Sequence, residues 1–488
     1  MIISSHFERE LIILHMILTC KSTTLALLSE EMGIPKLTIK GDILKLNSYF
    51  VEYTKNENDL IISNNQGIIT INPMFSDNII TYFYQLKLAL SKNSNLFRLC
   101  VLLITNYTIS KQDILDSLFI SEAYLNKLCS QLNDYIAQFD LSVQRTNQIY
   151  SLEGDEVCLR VFSYTILQDN FQGIEWPFDS TTPIINFDNS NSSISLTKNH
   201  ALYLFGEITQ QRFSNNKFLV IDPNNTLYKL LELLQESYDV IKLFNKNPFE
   251  GLPKNVADSE KLYLNFFARI FLSDLIPYEA KISLGRKFQE FDHPACRLSS
   301  EVYSKFLNVS CVPVNSNEDG IYLYYVTIFN ILYSLIGDKY ALFLELMIPV
   351  PYLNINKTDD YMTSIKKEIG VLFEDKTLEK YVASLLYTVS SSKKRTTLKL
   401  YIQMSKVFTA VYVIENRIQT IFNSDNIIFT NNFYEADIVI TDTFEKKSTD
   451  QILFYLDSIN SSDRWVDLIS LIQQKFLEKI DDNNNQYK

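Results

Sequence analysis

The residues with the plainest chemistry near the N-terminus are Lys36, Thr38, Lys40 and Lys45, within STTLALLSEEMGIPKLTIKGDILKLNSYF, Ser22 to Phe50. Ammonium groups pair with phosphate oxygens, and hydroxyls bond to phosphates or base edges, so such a cluster suits a polyanion. The surrounding pattern must present it. Leu25, Leu28 and Met32 recur at helical spacing, and Gly33 supplies a backbone that ends a helix. Pro35 suits the first turn of a second helix, in which Ile39, Ile43 and Leu46 form one apolar stripe and the lysines are left outward. A helix, a glycine turn and a second helix with basic residues outward fit a helix-turn-helix that enters a major groove. The same text fits a helical hairpin with solvated lysines.

Histidine chemistry has few places to live, because only His6, His15, His200 and His293 exist. His6 and His15 fall on an N-terminal helix and read as structural, while His293 precedes Pro294 in a loop. His200 follows Lys198 and Asn199 at the start of a helix, after a polar loop. An accessible imidazole there can hold a phosphoryl group, since a helix N-terminus favours anions; a capping or surface histidine is the other reading. Six scattered cysteines contain no CxxC pair and read as buried thiols. There is no Gly-rich phosphate loop, GxSxG elbow or HExxH pair. The expectation is no enzyme, no metal and no cofactor.

Composition limits the partners. The chain has 488 residues, 46% hydrophobic, with net charge −12, and its mean hydropathy is −0.03 at pI 5.0. That is enough for about three to five domains. It is the wrong sign for a protein that only coats nucleic acid, so positive potential must be confined to a small module. The N-terminus has no secretory pattern, and Ile321–Gly337 reads as a buried core helix rather than a membrane span. A cytoplasmic protein without a membrane partner is expected.

In chain order, His6–Cys20 is a helix that packs under the opening pair. Runs at Val51–Thr54 and Ile68–Ile71 form a hairpin wing containing Lys55. The grammar then repeats. Leu96–Thr105 is an apolar helix, Ser110–Asp113 is a capping box opening the helix QDILDSLFI, and Ser121 caps EAYLNKLCSQLNDYIAQF. In this last helix Leu125, Leu128, Leu132 and Ile136 face inward, and Glu122, Tyr124, Asn126 and Lys127 outward. Leu141–Gly154 is a strand–turn–strand with Arg145 in its middle, a second wing. This order occurring twice raises DNA binding above the plain-hairpin reading. Long helices with aromatic faces fill Asp155 to about Arg395, and the loop Phe249–Ser259 divides them into two bundles. From Thr397, strands LKLYIQMS, NIIFTNN, ADIVITD and QILFYLDS with two helices imply a small α/β module with a largely parallel sheet. Its Met404-Ser405-Lys406 loop holds no cysteine, and no histidine is near to activate the serine, so it reads as a binding or dimerisation module.

This order of parts resembles the Mga/AtxA-like virulence regulators of Gram-positive bacteria. The closest texts are MGIPKLTIKGDILKLNSYF and SEAYLNKLCSQLNDYI with its wing. The likeness spans the chain in architecture, with specific motifs over roughly the first third. It implies a multidomain, mainly α protein. Its parts would be a first winged helix-turn-helix (1–75), a second, Mga-type one (76–158), two all-α phosphotransferase-system regulation domains, or PRDs (159–255 and 256–395), and a C-terminal EIIB-like α/β domain (396–488). It further implies a DNA-binding transcriptional activator of virulence or carbohydrate-responsive genes, bound to double-stranded promoter DNA as a homodimer or higher oligomer. His200 falls where the first PRD places a phosphorylatable histidine, with sugar-transport phosphocarriers (HPr or EII components) as donors. No histidine follows His293, which argues against dual phosphocontrol, and the EIIB-like part lacks the transporter cysteine. The alternatives are an RNA-binding antiterminator of the PRD type, a phosphotransferase-system enzyme, and a sugar-independent regulator with unphosphorylated domains.

Overall fold

The computed structural model describes residues 5–20, 22–179, 196–244, 248–310, 319–347, 360–391, 397–404, 409–422, 426–443, 451–456 and 458–485. Helix α1 (Ser5–Thr19) packs on α2 (Leu25–Met32) and α3 (Lys36–Thr54) through Leu14, Ile17, Leu28, Ile39 and Leu46, all essentially removed from solvent. The Thr24 side chain accepts the Leu27 N–H and starts α2; Gly33, at φ 66°, ends it. Strands β1 (Ser22–Thr24), β2 (Ile61–Ser63) and β3 (Ile68–Ile71) form an antiparallel sheet in the order β1-β3-β2.

Two expectations fail here. Val51–Thr54 is the last turn of α3, not a strand. Its β-branched residues are overridden because Phe50 is buried edge-on against Phe75 and Tyr82, at 4.9 and 5.2 Å between ring centres. Lys55 is therefore the residue that ends α3, at φ 55°, and does not lie in the wing.

Helix α4 (Ile79–Lys92) leads to α5 (Asn95–Thr105), strand β4 (Ile109–Ser110), α6 (Lys111–Leu118), α7 (Glu122–Ile136), and the hairpin β5 (Leu141–Thr146) and β6 (Ile149–Gly154). The sheet order β4-β6-β5 is that of the first unit. Asn147 and Gln148, both at positive φ, make the two-residue turn expected of a tight hairpin.

Helix α8 (Glu156–Phe171) is buried over nearly its whole length and packs with α9 (Leu196–Ser214). Helices α10 (Thr226–Ser237), α11 (Lys254–Phe271), α12 (Tyr278–Glu290), α13 (Pro294–Leu307), α14 (Asp319–Ile336), α15 (Lys339–Met347), α16 (Asp360–Ile369) and α17 (Lys376–Ser391) follow. Within the segment Phe249–Ser259, residues 254–259 are already helix, the first turns of α11. Pro253 caps α11, and Asn265 and Arg269 of that helix bond to Val240 and to the Tyr238 carbonyl, tying it to the segment before it. Helix α14 is long and apolar enough to cross a bilayer, but 67% of that span is buried in the protein, as expected of a core helix.

The chain divides into two compact units, Met1–Ser299 with Leu323–Leu353, and Ser300–Tyr322 with Asn354–Lys488. The second holds a parallel sheet, in the order β10-β9-β7-β8, of β7 (Leu398–Gln403), β8 (Ile427–Phe429), β9 (Ile438–Thr441) and β10 (Ile452–Tyr455). Helices α18 (Ala410–Ile421) and α19 (Ser462–Asn485) pack on it, with Leu398, Leu400, Ile414, Ile418, Ile438, Ile440, Leu468 and Ile472 as core. The strands and helices read from the sequence are present; Ser405, the conceivable nucleophile, lies outside the described residues. So does Cys311; of the other cysteines Cys100, Cys158 and Cys296 are buried, Cys129 is half-buried, and Cys20, against expectation, is exposed.

Candidate nucleic-acid interface

The two winged units superpose in sequence at a constant offset. Thr24 and Ser110 cap their first helices, Gly33 and Phe119 end them, and Asn47 and Asn133 hold the wings: 110 − 24, 119 − 33 and 133 − 47 all equal 86. The buried amide of Asn47 donates to the Ile61 carbonyl at 2.8 Å and accepts the Ile61 N–H at 2.9 Å, pinning β2 to α3. Asn133 accepts the Val143 N–H at 2.7 Å, pinning β5 to α7. Each unit thus locks a wing against its second helix, which fixes where that helix would lie in a groove.

In the second unit, Ser110 accepts the Asp113 N–H at 3.1 Å and donates to its carboxylate at 2.6 Å, the capping box read from the sequence. Ser121 accepts the Tyr124 N–H at 3.3 Å and starts α7. Leu125, Leu128, Leu132 and Ile136 fill the core, so helical geometry turns Tyr124, Asn126 and Lys127 outward, and all three are exposed. Glu122 joins three elements: its carboxylate lies 3.0 Å from Lys111 at the start of α6 and 3.7 Å from Arg145 on β5. Arg145 also donates to Gln148 at 2.7 Å and lies over the Tyr150 ring. The helix start and the wing therefore present one polar surface with Lys127 and Arg145 as its cations.

The first unit is poorer. Lys36 and Lys40 are exposed, and no ion pair holds either among the described residues. Thr38 is only half-buried. Lys45 is different from expectation. Its ammonium lies 3.6 Å from the buried Glu10 and 3.8 Å from the buried Asp42, which Arg9 also holds at 2.6 and 3.0 Å. Burial raises the Glu10 pKa, and Lys45 opposes that rise. Lys45 therefore neutralises buried acids between α1 and α3 rather than offering a free charge. Between the lysines, Leu37 and Leu44 are 81% and 60% exposed, so α3 shows an apolar as well as a basic face.

The histidines are also placed differently. His293 caps α13, its Nδ1 accepting the Ala295 N–H at 3.1 Å. His200 sits one turn inside α9, not at its end, and both its ring nitrogens are buried. Trp176 meets it edge-on at 5.4 Å, and the Gly173 backbone lies against the ring. Burial lowers its pKa, partly offset by the Glu175 backbone. The accessible imidazole expected from the sequence is not found in this conformation. Beside it a cavity of about 340 Å³ is lined by Tyr164, Thr165, Gln168, Asp169, Lys198 and Asp274, with Lys198 and Asp274 ion-paired.

The second unit joins the helices behind it through buried charge. Arg160 of α8 meets Glu260 of α11 at 2.6 and 2.9 Å, and Glu156 accepts from both Arg160 and Arg212. Burial alone would raise the Glu156 pKa; the two guanidinium groups outweigh it and hold it low. Among known proteins, no curated sequence matches the chain. Residues 77–167, from before α4 through most of α8, match the family model of the Mga helix-turn-helix domain. The second winged unit thus matches a Mga helix-turn-helix domain, and this match supports a Mga-like regulator.

Proposed function

We propose that the protein is a DNA-binding transcriptional activator that binds promoter duplexes as a dimer, chiefly through its second winged unit, and has no enzymatic activity of its own. The carrying observation is the Mga helix-turn-helix match over 77–167, on a unit whose α7 face and wing present Tyr124, Asn126, Lys127 and Arg145 together. Phosphate contacts from Lys127 and Arg145 would set the register, while Asn126 and Tyr124 can reach base edges. The acidic remainder need not touch DNA. A cytoplasmic location follows from this role.

The C-terminal α/β module, EIIB-like in our reading, is the dimerisation element. Tyr412 on α18 and Val466 and Leu477 on α19 are exposed and are the apolar side chains such a contact would use. The helices before it act as PRD-like sensors, with His200 the phospho-acceptor for HPr-type or EII-type donors. Phosphorylation there requires Trp176 to swing off the ring. A gel shift comparing duplex DNA with hairpin RNA tests the reading: duplex retention supports it, and preference for the hairpin favours an antiterminator.

A further inference from the structure

The 86-residue offset gives the chain an internal control on its own turn chemistry. In both units an eight-residue helix is followed by a residue in the left-handed region, then isoleucine, then the cap of the next helix. In the first unit these are Gly33, Ile34 and Pro35, and the space around Gly33 is open. In the second they are Phe119, Ile120 and Ser121. Phe119 sits at φ 55°, ψ 48°, its N–H donating to the Leu115 carbonyl to close α6. Glycine is what this backbone favours, because a Cβ is crowded there. Among the described residues, the other non-glycine residues at positive φ, Lys55, Asp140, Asn147, Gln148, Gln172 and Asn216, are all polar.

The phenyl ring gains nothing from folding. Phe119 is 90% exposed, while its neighbour Leu118 takes the interior at 3%, and no ring contact holds Phe119 among the described residues. A bulky apolar side chain is thus kept in a disfavoured conformation and in water, two residues before the cap of α7. At no more than about 3.6 Å per residue, that puts it within roughly 7 Å of the Ser121 backbone. Strain of this kind is stored where a function uses it. In the same unit, Tyr124 on the helix start and Ile149 on the wing are 40% and 45% exposed.

Resting on the DNA-binding reading above, we infer that Phe119 is a DNA-contacting residue of the second winged unit, seating its ring against thymine methyl groups at the groove edge where α7 enters. Phenylalanine reads the thymine methyl by apolar contact, a contact that releases no counterions. Gly33 can make no such contact, so the two units are not equivalent readers.

The test uses the full chain and a duplex selected by it from a randomised pool. Phe119→Gly, which gives the second turn the first turn's residue, is expected to lower affinity about tenfold while leaving the salt dependence unchanged. Replacing the duplex thymines by deoxyuridine should weaken the wild type and leave Phe119→Gly unaffected. Melting of the variant should be no lower than wild type, and Phe119→Asn, which also tolerates this backbone, should reproduce the loss. Wild-type affinity in Phe119→Gly overturns the inference, as does an equal deoxyuridine penalty in both proteins. Unchanged affinity with lost reporter output also overturns it, assigning the ring to a protein partner. If the wild type selects no duplex at all, the DNA-binding reading itself has failed.

Discussion

Glu260 offers the sharpest perturbation of the link between the DNA-binding domain and the helices behind it. Its carboxylate is fully buried and accepts from both terminal nitrogens of the equally buried Arg160 and from the Leu219 N–H at 2.8 Å. Glu260→Leu would leave a guanidinium without its main counter-charge, and the Leu219 N–H without an acceptor. Removing one partner of such a pair costs about 3–5 kcal/mol, because the survivor stays desolvated. Glu156 still touches Arg160 at 2.8 Å, so the lower end of that range is expected. A chain with several cooperative parts has no single unfolding free energy, so amide hydrogen exchange of α8 and α11 is the proper assay. At 1.4 kcal/mol per factor of ten, exchange through opening should accelerate roughly a hundredfold or more. Arg160→Leu combined with Glu260→Leu should recover most of the loss, since no buried charge is then left unpaired. A single variant that exchanges like wild type, or a double variant no better than the single, would refute the reasoning.

Four further outcomes follow from the same structure. Lys127→Ala should weaken duplex binding and reduce the slope of log affinity against log salt by about one, measured by fluorescence anisotropy. Lys45→Ala should leave that slope unchanged and instead lower the melting temperature, because its ammonium balances Glu10 and Asp42. Asn133→Ala should cost about 1–3 kcal/mol locally by orphaning the Val143 N–H, seen as faster exchange confined to β5 and β6. On acidification, stability contributed by Glu156 is present above the ordinary carboxylate pKa. It is lost as pH falls through its depressed folded value, so Glu156→Gln should flatten the acid limb of a melting-versus-pH series.

Legibility followed the range of the interaction. Features decided within a turn or two of chain were readable: the Ser110 and Ser121 caps lie within reach of the amides they satisfy, and Gly33 ends α2 by its own backbone freedom. The α7 stripe emerged intact for the same reason. What failed was decided at a distance. Val51–Thr54 reads as strand locally, but Phe50 is captured by Phe75 and Tyr82 from outside α3. Strands β1 and β4 are too short to carry a pattern and exist only through pairing with β3 and β6. Lys45 reads as solvated until Glu10, on another helix, is brought beneath it. His200 reads as accessible until Trp176 covers it. Phe119 gave no signal, since nothing in its type announces a left-handed residue.

The repeat also changes how the negative charge is to be understood. A chain of net charge −12 that binds a polyanion must hold its cations where acids do not cancel them. In the first unit the acids reach Lys45, leaving Lys36 and Lys40 beside the exposed Leu37 and Leu44. In the second, Glu122 touches Lys111 and Arg145 but leaves Lys127 one turn further along the exposed face. Glu122 costs some positive potential there and in exchange fixes the wing against the helix start. Geometry is what a base-reading surface needs most, since phosphate attraction alone carries no sequence information. In the first unit Glu10 and Asp42 hold α1 to α3 inside the fold, whereas in the second Glu122 arranges the outer face. On the function proposed above, the second unit is then the reader that discriminates, and the first adds affinity.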